Sequence, residues 1–288
     1  MQGFTGETSQ TGASAQRKTV RYGDLRIRVI SAAIYGIVTV LAGLAGGLWF
    51  AGLILLFVTL ADYEMISLMR ASGFLPSLAF SFGALLLAFA SIRFPSFMFT
   101  MPALFTVLLL GSLVCQMRHR TGKPIADWAI TLAGGAYLGW TSAHLTAARE
   151  LPNGMWWLAI ALGSTWLADS GAYFIGRRYG RHLLSPSLSP RKTWEGYLGG
   201  LLAALLGGVV IGLVSPLGII NATVSAVLVG ALGTLGDLIE SMFKRQAGAK
   251  DSGQLIPGHG GAFDRIDSLL WAGVVVYYYA VMATTVIH

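Results

Sequence analysis

Long apolar segments alternate with short polar segments along almost the whole chain. Because a helix needs about 20 apolar residues to cross a bilayer, this pattern predicts nine membrane-spanning helices. Their approximate ranges are 28–45, 48–68, 75–92, 97–117, 126–147, 155–175, 195–214, 219–239 and 268–286. Glycine pairs at 199–200 and 207–208 favour close helix packing, since small residues let membrane helices approach one another. The predicted fold class is an all-α polytopic membrane protein, a bundle of about nine transmembrane helices.

Composition supports a membrane protein: 55% of the 288 residues are hydrophobic and only 11% are charged, against about 25% charged in a soluble domain. The first 26 residues are polar and then basic, so we expect residues 1–26 to form a mobile cytoplasmic tail. We expect residues 27–288 to form a single membrane-embedded domain. Cys115 is the one cysteine of the chain, which excludes an intramolecular disulfide.

The basic residues are distributed unevenly between the two sides of this predicted bundle. With the N-terminus inside, all of the 20 Lys and Arg residues except Arg93 and Arg149 fall on inner segments. The positive-inside rule therefore predicts that the long polar loops and any polar site face the cytoplasm. We expect the membrane to be a bacterial inner (cell) membrane. This topology explains the net charge of +7 without a nucleic-acid partner, and we expect none.

One polar stretch, residues 241–267, interrupts the apolar pattern near the C-terminus. It reads SMFKRQAGAKDSGQLIPGHGGAFDRID. Its charged side chains are those of Lys244, Arg245, Lys250 and Arg265, with Asp251, Asp264 and Asp267. This mixture of cations, carboxylates and glycines is suited to polyphosphate and metal. The simpler alternative is a solvated charged loop between two spans.

Helical spacing places several of these polar groups together. Upstream of and within the stretch, Asp237, Glu240, Ser241 and Lys244 fall on one helical face. Asp264 and Asp267 repeat the three-residue spacing at the start of the next helix. Carboxylate oxygens suit hard cations such as Mg²⁺, and the glycines within 257–261 would let backbone N–H groups approach an anion.

The whole stretch resembles the signature of the phosphatidate cytidylyltransferase family, also called CDP-diacylglycerol synthases. That signature contains S-x-apolar-K-R, then K-D, then P-x-H-G-G, then D-R-apolar-D, and the chain fits it nearly throughout. Ala262, after H-G-G, is smaller than the usual residue. A second element, residues 189–196, resembles the family pattern S-P-x-K-[ST]-x-E-G. A match over 27 residues is far more specific than a short glycine motif.

The resemblance implies transfer of CMP from CTP to phosphatidate, with Mg²⁺ as cofactor and room for a second cation. It implies membrane lipid as a partner and a homodimer as the assembly to test. The implied metal ligands are Asp237, Asp264 and Asp267. The implied catalytic residues are Ser241, Lys244, Arg245, Lys250, Asp251, His259 and Arg265, and the implied substrate-binding residues are Asp169, Arg191, Lys192, Glu195, Gly260 and Gly261.

Several of these residues allow a second interpretation. Asp169 lies inside a predicted span, where a carboxylate is functional by default or is hydrogen-bonded between helices. Glu195 follows Thr193, so it either binds substrate or belongs to a helix cap, and Arg191 with Lys192 could simply anchor the chain at the membrane surface. Asp62 and Glu64 either complete the site or flank a helix end, and the second interpretation is favoured.

Two other functions use similar residue types. A CTP-dependent polyprenol kinase would also place acidic residues beside basic loops, but should lack the full 27-residue signature. An ion-coupled transporter could use Asp169 and Asp237, but it would not need the charged loop. Such a transporter should also show internal repeats, and none is evident in this sequence.

Overall fold

The computed structural model describes residues 22–94, 96, 100–118, 122–253 and 260–286. Within these residues the chain forms nine helices and one short antiparallel β-hairpin, which confirms the predicted all-α class. The helices are α1 (Tyr22–Ala45), α2 (Gly47–Ala71), α3 (Leu78–Arg93), α4 (Thr100–Gln116), α5 (Pro124–Glu150), α6 (Gly154–Tyr179), α7 (Trp194–Val214), α8 (Gly218–Gln246) and α9 (Phe263–Val286). The hairpin joins α6 to α7 and consists of β1 (Leu183–Ser185) and β2 (Ser189–Thr193).

The sequence pattern located the helices well but misjudged three ends. Helix α1 begins at Tyr22 rather than near 28, so it starts within the range 1–26 that was expected to be a tail. Helix α8 continues to Gln246, beyond the predicted end at 239, and α9 begins at Phe263 rather than near 268. The first and the last residues of the polar stretch therefore belong to helices α8 and α9. A prediction based on the length of apolar segments ends a helix at the first charged residues. The helix itself can continue, because charged side chains on one face can find partners.

Five helices are long and apolar enough to cross a membrane, judged by length and composition over the described residues: α2, α6, α7, α8 and α9 as far as Thr284. Shorter apolar helices are α3, α4 and the part of α1 from Ala33 to Ala45. The protein is therefore an integral membrane protein with several spans.

Glycines set the close contacts between the helices, as the sequence predicted. A Cβ at Gly135 of α5 would lie 2.0 Å from the carbonyl oxygen of Ser81 on α3, and one at Gly200 of α7 would lie 2.8 Å from the carbonyl oxygen of Ala168 on α6. Gly208 of α7 approaches α8 equally closely. Backbone contact at these points is possible only without a side chain.

Helix α9 packs against α8, α5, α6 and α2, so both halves of the chain hold it in place. At its start, Phe263, Ile266 and Leu270 are buried together with Met65 of α2 and Leu138 of α5. The position of the last helix therefore depends on helices that lie far away in the sequence.

Polar contacts distinguish the two ends of the bundle. At one end, Arg93 Nη1 lies 2.8 Å from Glu150 Oε2, and Arg149 Nε donates to the carbonyl oxygen of Gly43 at 2.7 Å. These contacts join the C-terminal ends of α1, α3 and α5. The polar stretch lies at the opposite end, where α2, α6 and α8 finish and α5, α7 and α9 begin. The two exceptional arginines of the charge pattern are thus at the far end from the polar stretch.

Candidate active site

Two cavities lie at the polar end of the bundle. The first has a volume of about 530 Å³ and is bounded by α6, the hairpin, α7 and α8. The second, of about 370 Å³, lies between α1, α6 and the start of α9. Thr165, Asp169 and Ser268 line both. The two cavities therefore meet at a polar wall formed by α6 and α9.

Basic side chains line the first cavity opposite two carboxylates. Arg191 and Lys192 enter from β2, and Arg177 enters from the end of α6, where it also donates to the hydroxyl of Tyr173. Asp169 and Asp237 line the facing wall, and the Lys192 ammonium forms an ion pair with Asp237. The structure thus brings together four predicted residues and adds Arg177, which the motif comparison did not single out.

Asp237 and Asp267 belong to one polar group. Ser268 Oγ donates to Asp237 Oδ1 and lies 3.5 Å from Asp267 Oδ1. Asp267 also interacts electrostatically with the carboxylates of Asp237 and Glu240, and Asp169 interacts with Asp237. Carboxyl groups therefore cluster where the two cavities meet.

Lys244 lies inside a carboxylate cluster rather than in a cavity. Its Nζ is 3.0 Å from Glu240 Oε2 and 2.8 Å from Asp264 Oδ1, and all three side chains are largely buried. The other oxygen of Glu240, Oε1, is buried and has no hydrogen-bond partner among the described residues. In this arrangement Lys244 neutralises the carboxylates of α8 and α9.

Asp264 holds the start of α9 in place. Its Oδ2 accepts hydrogen bonds from Ser252 N at 2.9 Å, Ser252 Oγ at 2.9 Å and Gly261 N at 2.8 Å. Because Oδ1 contacts Lys244, both oxygens already have donors. Oδ1 has a second lone pair beside its contact with Lys244, so the predicted role of Asp264 as a metal ligand would place the ion next to the Lys244 ammonium.

The two glycines before α9 serve the same turn. Gly260 has a φ of 84°, a left-handed conformation that favours glycine. A Cβ there would lie 2.5 Å from Asp264 Oδ2. Gly261 N, a predicted substrate donor, binds Asp264 instead. His259 lies in 254–259, outside the described residues.

Other predicted residues of the stretch lie away from the cavities. Arg245 donates through Nε to the carbonyl oxygen of Leu188 and through Nη1 to that of Ala249, so it joins the hairpin to the end of α8. Lys250 and Asp251 are exposed on the following turn, and Ser241 is half-buried on α8. Arg265, by contrast, is exposed and lines the second cavity.

Glu195 was predicted to bind substrate, but its contacts hold the hairpin in place. Glu195 Oε2 accepts from Arg181 N at 3.0 Å, and Oε1 lies 2.6 Å from His182 Nδ1. Thr193 is the N-cap of α7, since its hydroxyl accepts from Gly196 N at 3.1 Å. Glu195 lines neither cavity, and its contacts are to Arg181 and His182, so Thr193 alone makes the cap bond seen here.

Asp62 and Glu64 are the residues that sequence reasoning judged wrongly. Both are buried inside α2, with relative exposures of 1% and 3%, and neither flanks the helix end. Asp62 Oδ1 accepts from Ser81 Oγ at 2.6 Å, and Glu64 Oε2 accepts from Ser252 Oγ at 2.9 Å. In the sequence, the position of two carboxylates inside a long apolar segment indicated that each needs a partner, but it could not indicate which element supplies the partner.

The carboxylates near the junction of the two cavities are the kind of ligand that binds a divalent cation. Asp169, Asp237 and Asp267 lie near one another, and within the described part of the chain Lys192 is the cation that pairs directly with them. No three His, Cys, Asp or Glu side chains among the described residues form a ready-made metal-binding group. Mg²⁺ commonly takes only one or two protein carboxylates and completes its shell with substrate phosphates and water.

Taken together, the fold and the site define a polytopic membrane protein with two charged cavities at one end of its bundle. A profile of the cytidylyltransferase family matches residues 26–283. The chain belongs to the cytidylyltransferase family.

Curated relatives agree with this assignment. The chain is 34% identical over 299 residues to a phosphatidate cytidylyltransferase of Synechocystis sp.. The match covers 91% of this chain and 98% of the relative. The chain is 32% identical to one of Bacillus subtilis, covering 88% and 97%. A phosphatidate cytidylyltransferase of Brucella suis biovar 1 is 40% identical over 58% of this chain. That match spans 60% of the Brucella protein, less than two thirds of its length.

Proposed function

We propose that this protein transfers CMP from CTP to phosphatidate, which gives CDP-diacylglycerol and pyrophosphate. The observation that carries the proposal is the pair of cavities that meet at Asp169 and Ser268. One is lined by basic residues of the hairpin, and the other lies between α1, α6 and the charged start of α9. The names of the curated relatives support the same activity.

The first cavity suits the nucleotide. A volume of about 530 Å³ is within the usual range for small-ligand sites, roughly 300–1,000 Å³. Arg177, Arg191 and Lys192 present positive charge on one wall, where they would hold the triphosphate. Since Lys192 now pairs with Asp237, an arriving phosphate would share or replace that partner.

The second cavity suits the lipid phosphate. It lies beside α1, which packs chiefly against α2, so a lipid can approach between α1 and α6 from within the bilayer. Arg265 offers one cation for the phosphomonoester, and Tyr35 and Trp166 line the walls. Because Asp169, Asp264 and Asp267 line the same cavity, the phosphate would also need the positive charge of a bound Mg²⁺. The two substrates would then meet where the cavities join.

The reaction consists of a single displacement at phosphorus. An oxygen of the phosphatidate phosphate forms a bond to the α-phosphorus of CTP, and the bond from that phosphorus to the β-bridging oxygen breaks. The electron pair leaves with pyrophosphate. Because a phosphate monoester is already ionised near neutral pH, little general-base help is needed. The task of the protein is to hold two polyanions in line against their repulsion.

Asp237 and Asp267 would hold Mg²⁺, with Asp169 close by and room for a second cation. Asp264 would join them through Oδ1, which would bring the ion next to the Lys244 ammonium. The ion would supply positive charge that offsets the triphosphate and the charge that develops on pyrophosphate.

The orientation in the membrane belongs to the same proposal. The cavities would face the cytoplasm, where CTP is available, in a bacterial inner membrane. The positive-inside rule supports this, because Arg93 and Arg149 lie at the opposite end of the bundle. The homodimer and the absence of nucleic-acid binding remain predictions of the sequence.

Position-specific labelling of CTP tests the reaction. Purified protein in phosphatidate-containing vesicles with Mg²⁺ should transfer ³²P from the α-position of CTP into lipid and leave the γ-label in pyrophosphate. A CTP-dependent kinase would do the reverse, since it transfers the γ-phosphate to an alcohol. Absence of α-label in the lipid, with folded protein and both substrates present, would refute the proposal.

A further inference from the structure

Glu64 connects the second helix to a part of the chain almost 200 residues away. Its Oε2 accepts from Ser252 Oγ at 2.9 Å, 188 residues on, and from Phe263 N at 3.0 Å, 199 residues on. The residue is only 3% exposed, and it lines neither cavity. It is therefore a buried carboxylate whose partners all belong to the polar stretch.

The bond to Phe263 caps α9. Phe263 is the first residue of that helix, and the first N–H groups of a helix have no partner within it. A carboxylate at this position also interacts favourably with the positive end of the helix dipole. Helix α9 is thus capped by a side chain from α2, while Asp264 accepts from the preceding N–H of Gly261.

The backbone packs tightly against this carboxylate on both sides of 254–259. A Cβ at Gly253 would lie 2.4 Å from Glu64 Oε1, and one at Gly261 would lie 2.2 Å from Oε2. Ser252 also donates to Asp264, so the carboxylates of α2 and α9 share one hydroxyl group. The chain before and after this segment therefore meets at Glu64.

We propose that Glu64 is a positioning residue for the transfer reaction. It fixes the start of α9, and so it keeps Arg265, Asp267 and Ser268 in place at the cavities. This inference rests on the proposed function. Displacing reacting groups by about 1 Å can cost roughly 100-fold in rate, so loss of the anchor should reduce turnover although Glu64 touches no substrate.

The test compares Glu64→Ala with Asp62→Ala. Both remove a buried carboxylate from α2, but Asp62 contacts Ser81 of α3 instead of the polar stretch. We expect Glu64→Ala to lower kcat about 100-fold per folded molecule. Asp62→Ala should lower Tm while kcat stays within about threefold, because its contact lies away from the cavities.

Two further measurements separate positioning from stability. Amide hydrogen exchange in the first turn of α9 should become faster in Glu64→Ala and not in Asp62→Ala. Glu64→Gln should recover turnover to within about tenfold of wild type, because its carbonyl oxygen can accept both bonds that Oε2 now accepts.

Ser252→Ala decides the case if Glu64→Ala does not fold. It keeps the bond between Glu64 and Phe263 but removes the shared hydroxyl, so about a tenfold fall in kcat is expected, with a smaller fall in Tm than in Glu64→Ala. Wild-type kcat in Ser252→Ala, or in a folded Glu64→Ala variant with unchanged exchange in α9, would overturn the inference. A wild-type protein that transfers no α-label would instead refute the proposed function.

Discussion

Asp264→Asn and Asp267→Asn should fail in different ways, although both were predicted to be metal ligands. Asp264 already accepts three hydrogen bonds at Oδ2 and contacts Lys244 at 2.8 Å through Oδ1. Asp267 has a single hydroxyl, that of Ser268, at 3.5 Å. We therefore expect the first substitution chiefly to reduce stability and the second chiefly to raise the Mg²⁺ requirement.

The loss of folding stability expected for Asp264→Asn can be estimated from the contacts of Asp264. The amide oxygen can take the place of Oδ2 and keep its three donors, and the NH₂ group then faces the Lys244 ammonium. The lost interaction is one charge-assisted hydrogen bond in a largely buried place, where side-chain exposures are 12% and 7%. Such bonds contribute about 1.5–3 kcal/mol. Because Glu240 still contacts Lys244 at 3.0 Å, about 2 kcal/mol is expected, or a fall in Tm of roughly 4–8 °C.

Thermal unfolding and Mg²⁺ titration of turnover should be measured on the same preparations. Asp267→Asn should lower kcat and raise the half-saturating Mg²⁺ concentration by about tenfold, while its Tm changes little. Lys244→Met provides a matched control: combined with Asp264→Asn it should cost less than the sum of the single changes, since the unfavourable contact with the amide disappears.

One result would refute this reasoning. If Asp264→Asn kept the wild-type Tm and raised the Mg²⁺ requirement as much as Asp267→Asn, then Asp264 would be a metal ligand. Its four present donors would then belong only to the metal-free arrangement.

Three further predictions follow from the site and the topology. Lys192→Met should raise KM for CTP by at least about tenfold, because the substitution removes a cation from the first cavity and leaves Asp237 without its ion pair. An unchanged KM would mean that Lys192 is only a membrane anchor. Glu195→Gln should change KM for CTP by no more than about twofold, since its contacts are to the chain itself. In a Cys115→Ser background, Ser187→Cys should react with an impermeant thiol reagent from the cytoplasmic side and Pro216→Cys from the other; labelling of both from one side would contradict the topology.

Hydropathy located the helices because the membrane imposes a length on each apolar segment. It failed at the end of α8, where Glu240 and Lys244 pair with each other and with Asp264, so that charged residues continue the helix. The hairpin was missed because its strands have three and five residues and carry little periodic pattern. Its fold depends on contacts of Glu195 with backbone thirteen and fourteen residues earlier.

The site was only partly accessible from the sequence. Motif positions identified Asp169, Lys192 and Asp237, and the structure does bring them to one cavity. Spacing could not reveal that Asp264 is occupied by backbone donors, since both metal ligands and helix caps are acidic residues in a first turn. Nor could it reveal Glu64, because a contact across 199 residues leaves no local pattern.

The length of α8 has a consequence for the energetics of lipid handling. Its 29 residues extend about 43 Å, whereas the hydrocarbon core is about 30 Å thick. If the helix stands along the bilayer normal, about 13 Å of it lies outside the core. The charged end from Asp237 to Lys244 would then occupy the headgroup layer or a polar notch just beneath it. A phospholipid already keeps its phosphate at that depth. The reaction that we propose would consequently need no extraction of a lipid from its leaflet: the acyl chains would stay solvated by their neighbours, and only the nucleotide and pyrophosphate would exchange with water.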